Sequence, residues 1–192
     1  DGLYRLDENS GQSQKFEASV GGETPPIFTD MAVDDSGGLW FVTHNKLLHF
    51  DIQAEQYVSE HITFDISPDQ IDDQVIMVDR QGTIWLGLGR GRLLKIDPQS
   101  GQQVEFRHQP DISTSLGRGQ INAISEDLSG NLWLATSEGL SRFDRQLESF
   151  THYRLSGRLQ GRPHIWGWYN LKKLRDYGKK WALNQEIQYC FH

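Results

Sequence analysis

The sequence is short of cysteine, of long apolar runs and, over most of its length, of positive charge. Its one cysteine, Cys190, can build neither an internal disulfide nor a cysteine-based zinc cluster. So little thiol fits the cytosol and the bacterial periplasm equally and does not choose between them. No apolar run approaches the roughly 18 residues of a membrane-crossing helix. The opening residues DGLYRLDENS carry no signal-peptide pattern. Positive charge is scarce in the body: residues 1–156 hold 12 Lys and Arg against 24 Asp and Glu, whereas 157–192 hold 7 against 2. The acidic body argues against nonspecific nucleic-acid binding, and the basic tail reads first as a solvated surface.

Signatures of chemistry are also scarce. No Gly-x-Ser-x-Gly element occurs. The glycine-rich stretch Gly87–Gly91 lies between two strand-like runs and lacks the Lys-Ser/Thr ending of a phosphate loop. The seven histidines are scattered. His44 and His49 have no acidic partner fixed by spacing, so no zinc site is expected, and nothing calls for a cofactor.

What is there is a repeat. Ile121–Asp144 reads INAISEDLSGNLWLATSEGLSRFD, three short apolar runs separated by turn signals. Asn and Gly are expected to supply the positive-φ positions of the tight hairpins. The same unit stands at Phe28–Asp51 and Asp73–Asp97. Its turn reads Asp34-x-x-Gly37-x-Leu39-Trp40, Asp79-x-x-Gly82-x-Ile84-Trp85 and Asp127-x-x-Gly130-x-Leu132-Trp133, with 45 and then 48 residues between tryptophans. Asp1–Asp7 matches Glu138–Asp144 position for position, so the chain opens inside a repeat. Gly178-x-x-Trp181 marks a fourth, eroded copy, again 48 residues on.

A period of about 40–50 residues with four short strands per unit marks a β-propeller blade. The fourth strands are expected at 56–62, 104–108 and 149–154. A β-sandwich also has short, evenly spaced strands, but it has no reason to repeat its sequence. The expected architecture is all-β, a propeller segment of three to four blades belonging to a larger ring. Residues 1–16 end a preceding blade, 27–62, 73–108 and 121–154 are blades, and 165–192 is a degenerate partial blade. Closed rings take about 4–8 blades, so an open segment is expected to self-associate or to melt with low cooperativity.

The combination Pro110–Leu116, Ile121–Asp127, Gly130–Thr136 and Glu138–Asp144 resembles the two-component regulator propeller repeat of bacteria. Three copies cover roughly residues 1–160. The resemblance implies a sensor propeller in the periplasmic part of an inner-membrane receptor. Its output would be a histidine kinase, hybrid regulator or diguanylate cyclase outside this chain. Lys46 replaces the glycine found at Gly139, and the second copy has an extra residue around Gly89–Gly91.

Propellers present ligand sites on the face built from the loop between a blade's second and third strands and the link into the next blade. Here those loops hold His44, Asn45, Arg90, Ser137 and Glu138, and the links hold Asp69, Asp72, Arg118 and Gln120. Such a ring of polar groups can hydrogen-bond a sugar or peptide, and Arg90 and Arg118 suit a carboxylate or sulfate. Each taken singly reads more simply as a solvated loop residue. The recurring Asp34, Asp79 and Asp127 read as structural, accepting backbone N–H groups within their own turns. Trp40, Trp85 and Trp133 read as core, as do Trp166 and Trp168 outside the period.

The leading expectation is thus a ligand-sensing segment without catalysis of its own. The implied ligand is an oligosaccharide or other small extracellular solute. The remaining blades or a second receptor subunit are the expected macromolecular partners. The rivals are a protein-interaction scaffold and a propeller lyase or glycan-active enzyme, the last needing an acid/base pair such as His44 and Glu138 at the mouth.

Overall fold

Each repeat begins with a turn that closes itself. Asp79 Oδ1 accepts the N–H groups of Gln81 and Thr83, both at 2.9 Å, and Oδ2 accepts the indole N–H of Trp85 at 2.7 Å. Asp34 binds Ser36, Gly38 and Trp40 in the same way, and Asp127 binds Ser129, Asn131 and Trp133. The glycines Gly37, Gly82 and Gly130 have φ of 86°, 79° and 83°, where a side chain would be strained. One carboxylate therefore satisfies two backbone donors of a tight turn and fixes the ring six residues on.

These turns organise an all-β chain. The computed structural model describes residues 3–7, 9–16, 28–58, 62–66 and 74–153. An N-terminal hairpin pairs β1 (Leu3–Leu6) with β2 (Ser13–Phe16). The first blade contains β3 (Asp30–Val33), β4 (Leu39–Val42), β5 (Lys46–Asp51), β6 (Gln56–Tyr57) and β7 (Ile62–Thr63). The second contains β8 (Val75–Val78), β9 (Ile84–Leu88), β10 (Arg92–Ile96) and β11 (Gln103–Arg107). The third contains β12 (Ile121–Glu126), β13 (Leu132–Thr136), β14 (Gly139–Asp144) and β15 (Ser149–Tyr153). Paired strands are antiparallel throughout and consecutive in each blade except that β7 pairs with β5, and among the described residues the sheets do not close into a ring. The eroded fourth copy, Asp69, Asp72, Trp166 and Trp168 lie outside the described residues.

Two expectations need correction. The outer strand of the first blade is not one run over 56–62: β6 and β7 pair separately with opposite ends of β5. Among the described residues, the non-glycine residues at positive φ are Glu55, Arg90 and Glu148, at 52°, 63° and 46°, and no asparagine is among them. Glu55 and Glu148 hold the fifth position of the turn after the third strand, where the N-terminal hairpin and the second blade have Gly11 and Gly101 at 68° and 70°.

The core lies between blades. Strand alternation sends Ile84, Leu86, Leu94 and Ile96 of the second blade toward Val42 and Leu47 of the first. It sends Trp85 and Leu93 the other way, onto Leu132, Leu134, Phe143 and Phe150 of the third. Trp85 is fully buried and Trp133 is 8 % exposed, so tryptophan is the wedge between sheets. Trp40 is half-buried and packs with the same cluster as Ile76 and Val78.

Burial alone would raise the carboxyls of Asp34 and Asp127. Hydrogen bonds outweigh it, led by the Ser36 hydroxyl at Asp34 and the Trp133 indole at Asp127, and hold both below the ordinary 3.8. Groups depressed on folding stabilise the fold fully above their unfolded value, near 3.9, and lose that contribution as pH falls through the lower folded value. Urea midpoints should therefore be insensitive to these groups near neutrality and drop below about pH 4. The Asp34→Asn, Asp127→Asn double variant should be weaker at pH 7 but decline less steeply in acid. An unchanged acid slope would refute the assignment.

Candidate functional site

The seam between the second and third blades gathers most of the loop residues expected to form a site. Arg90 stands at the tip between β9 and β10, and its N–H donates to Gln120 Oε1 at 3.2 Å. Gln120, just ahead of β12, donates its N–H to Ser137 Oγ at 3.1 Å, and its carbonyl accepts the Ser137 N–H at 2.9 Å. The backbones approach so closely that a Cβ on Gly91 would stand 2.6 Å from the Gly119 carbonyl oxygen, and one on Gly119 would strike Ser137 Oγ. Glu138 is exposed beside this knot, its N–H on Thr136 Oγ1 at 3.3 Å.

Arg118 is exposed and oriented by a histidine. His108 Nδ1 lies 3.0 Å from the Leu116 carbonyl and so carries the proton, leaving Nε2 to accept from Arg118 Nε at 3.0 Å. A second histidine holds the same link: His152 donates from Nε2 to the Ser115 carbonyl, and its Nδ1 accepts from the buried Ser141 hydroxyl, both at 2.9 Å. Sequence reasoning missed His108, Ser115 and His152. They fall in or after outer strands, where a lone histidine carries no periodic signal.

His44 and Asn45 belong to the preceding seam, apart from this cluster. Both are exposed, and their carbonyls accept from Gln74 Nε2 at 3.1 Å and the Phe64 N–H at 3.1 Å. Gln74 also accepts the Thr29 hydroxyl at 2.6 Å. Gln74 and Gln120 thus play one part: each precedes an innermost strand and ties it to the tip of the previous blade.

The opposite rim carries a buried ionic clamp. Arg145 donates to Asp79 Oδ2 at 2.7 Å, Glu126 Oε1 at 3.1 Å and the Gly130 carbonyl at 2.8 Å, with its guanidinium 5.7 Å from the Trp85 ring. Glu126 also accepts the Arg80 N–H at 3.0 Å. Pro98 occupies the equivalent turn position in the second blade. Among the described residues no arginine bonds to Asp34, and His49 fills the place, 3.2 Å from Asp34 Oδ2 and stacked on Trp40. Ion pairs also cross between blades from the third strand: Arg5 to Glu55, and Lys95 to Glu148 at 3.0 Å. The glutamates at positive φ are the acidic partners. Among the described residues no group of histidine, cysteine, aspartate and glutamate is arranged to hold a metal ion.

No family model matches the chain. No curated protein matches it either. Solved structures do. One, described as the extracellular domain of a one-component system of Bacteroides thetaiotaomicron, superposes with a TM-score of 0.61 at 17% identity, over 84% of this chain and 21% of that one. Another, described as the extracellular domain of a hybrid two-component system of the same organism, gives 0.53 at 19% identity, over 68% and 19%. A Bacteroides thetaiotaomicron protein of unknown function gives 0.58 at 14% identity, over 84% and 45%. At these identities the likeness is one of fold, and the chain spans about a fifth of the first structure's length.

Proposed function

We propose that the chain is part of a sensory β-propeller on the extracytoplasmic side of a bacterial signalling receptor. It would bind a small solute on its loop face and catalyse nothing itself. The supporting observation is the seam between the second and third blades, where Arg90, Arg118, Gln120, Ser137 and Glu138 converge from two loop tips and a link. The extracellular domains of one- and two-component systems that share the fold favour the same role. A solute bridging the Arg90 tip of the second blade, the Arg118 link and the Ser137–Glu138 tip of the third touches both blades, so its affinity depends on their relative placement. That differential affinity is what biases a receptor between two states. Exposed arginine beside hydroxyl and amide groups suits an acidic oligosaccharide.

Calorimetric titration of the chain with neutral, uronate-bearing and sulfated hexasaccharides tests this. The acidic sugars should bind, and Arg118→Ala should weaken them about tenfold, the worth of one charge-assisted contact. No binding by any of the three, or equal binding by Arg118→Ala, would remove the reading. Chromatography of the recovered sugar separates it from the enzyme alternative, for which cleaved product lost on changing His44 or Glu138 is required.

A further inference from the structure

The link between the second and third blades is gripped by two imidazoles that hold neighbouring carbonyls. His108, just past β11, donates from Nδ1 to the Leu116 carbonyl at 3.0 Å. His152, on β15, donates from Nε2 to the Ser115 carbonyl at 2.9 Å. Leu116 is 1% exposed and packs in the cluster of Trp85 and Phe143. The carbonyls are therefore fixed, and neither ring can turn over without losing its bond. Each ring presents one lone pair in a set direction. At His108 it accepts from Arg118 Nε at 3.0 Å, and at His152 from the Ser141 hydroxyl at 2.9 Å.

The two lone pairs differ in what a proton does to them. A hydroxyl can donate or accept, so when His152 is protonated Ser141 turns its hydrogen away and accepts the new N–H. A guanidinium has donors only. A proton on His108 therefore sets Nε2–H against Arg118 Nε–H, two like charges whose nitrogens stand 3.0 Å apart. Among the described residues no carboxylate pairs with either. Along β11, Glu105 and Arg107 alternate to the other face of the sheet, where Glu105 is taken by Arg92 and Arg107. On the link, Asp111 is exposed and makes no ion pair with either. From the β13–β14 tip, Glu138 reaches Gly119, with its Cγ 3.3 Å from where a Cβ would stand, but does not pair with Arg118. From the β9–β10 tip, Arg90 brings only more positive charge. On β15, Tyr153 packs on Trp133 and leaves His152 facing the link.

An anionic oxygen satisfies both donors at once. We infer that His108 and Arg118 form a proton-coupled anion site. The acid group of the ligand replaces the imidazole as acceptor of the Arg118 Nε–H, and His108 Nε2 takes up one proton from solvent. Nδ1–H stays on the Leu116 carbonyl, so the ring changes charge without changing place. The imidazolium then donates from Nε2 to the acid group that Arg118 holds, a second charge-assisted bond. The inference rests on the loop-face reading for its sugar, and adds that the face takes an acid group together with a proton. Uptake of one proton per ligand makes affinity rise by up to about tenfold per pH unit as pH falls, across the range in which histidine gains its charge.

Titration of the full chain with the sulfated hexasaccharide, in two buffers of different ionisation enthalpy at one pH, counts the protons by calorimetry. Uptake approaching one proton per sugar is expected, with affinity rising toward acid. His108→Gln should abolish the uptake and flatten the profile. Nitrogen spectra of the wild-type chain with labelled histidine give the answer without a variant: at neutral pH the sugar should protonate His108 Nε2 and leave His152 as it was. Inorganic sulfate is the second probe. Sugar binding without proton uptake, affinity that falls in acid, or uptake that survives His108→Gln overturns the inference and leaves the loop-face reading standing. Sulfate that protonates His108 where no sugar binds sustains the anion site and removes the sugar reading. If neither probe changes His108, the inference is overturned.

Discussion

Replacing Asp79 with alanine should lower the melting temperature by on the order of 10 °C, the largest effect expected from any one polar residue of this chain. The side chain is fully buried and accepts from two backbone N–H groups, the Trp85 indole and Arg145. Its removal leaves those backbone and indole donors unsatisfied and takes the nearer of two carboxylates, Glu126 being the other, from a cation that is only 20% exposed. Breaking a buried pair this way costs about 3–5 kcal/mol, and a chain of this size shifts by about 2–4 °C per kcal/mol. Asp34→Ala removes the same turn bonds without breaking an arginine ion pair and should cost less. Thermal melts followed by tryptophan fluorescence decide it; equal shifts for the two variants would show that the Arg145 clamp adds nothing.

The second large effect contrasts two residues that share one repeat position. Phe143 is 1% exposed, with ring contacts to Trp85 at 5.2 Å, Phe106 at 5.1 Å and Phe150 at 4.9 Å. Phe143→Ala should cost about 3–5 kcal/mol, the transfer and cavity cost of a buried aromatic. Leu6 is its equivalent in β1 and is 63% exposed, so Leu6→Ala should stay within about 0.5 kcal/mol. Denaturant midpoints at constant slope give both numbers. A costly Leu6→Ala would mean that the face of β1 turned away from the first blade is covered in solution.

The same contrast shows what was legible in the sequence. The blade was legible because its turn is encoded within seven residues: Asp, Gly and Trp recur together, and each has a bond or an angle that requires it. Burial was not legible, because Leu6 and Phe143 read alike while their neighbours differ. Glu55 and Glu148 were missed for another reason. Glutamate has no preference for the left-handed region, and the ion pairs that it makes there with Arg5 and Lys95 lie on the neighbouring blade, out of reach of local sequence. Arg145 was not singled out from the sequence, yet the change from Ile52 and Pro98 to arginine at one repeat position was a visible departure from the pattern. Of the candidate site, Arg90, Ser137 and Glu138 stand in the turns between second and third strands. The knot among Gly91, Gly119, Gln120 and Ser137 was not foreseen, since it depends on two backbones meeting between blades. The division of the tips between two seams, with His44 and Asn45 on the earlier one, follows from the same geometry.

The self-closing aspartate turn bears on synthesis as well as on the finished fold. Its bonds span two, four and six residues, and every strand of the three blades except β7 pairs with a sequence neighbour, so few contacts within a blade wait for distant chain. Local contacts are the ones that form fast, and repeat units can nucleate separately and then propagate along the array. A ribosome making this chain releases one competent sheet about every 45 to 48 residues. Each new sheet finds its docking face, the tryptophan of the one before, already made, so translation itself supplies the order of assembly.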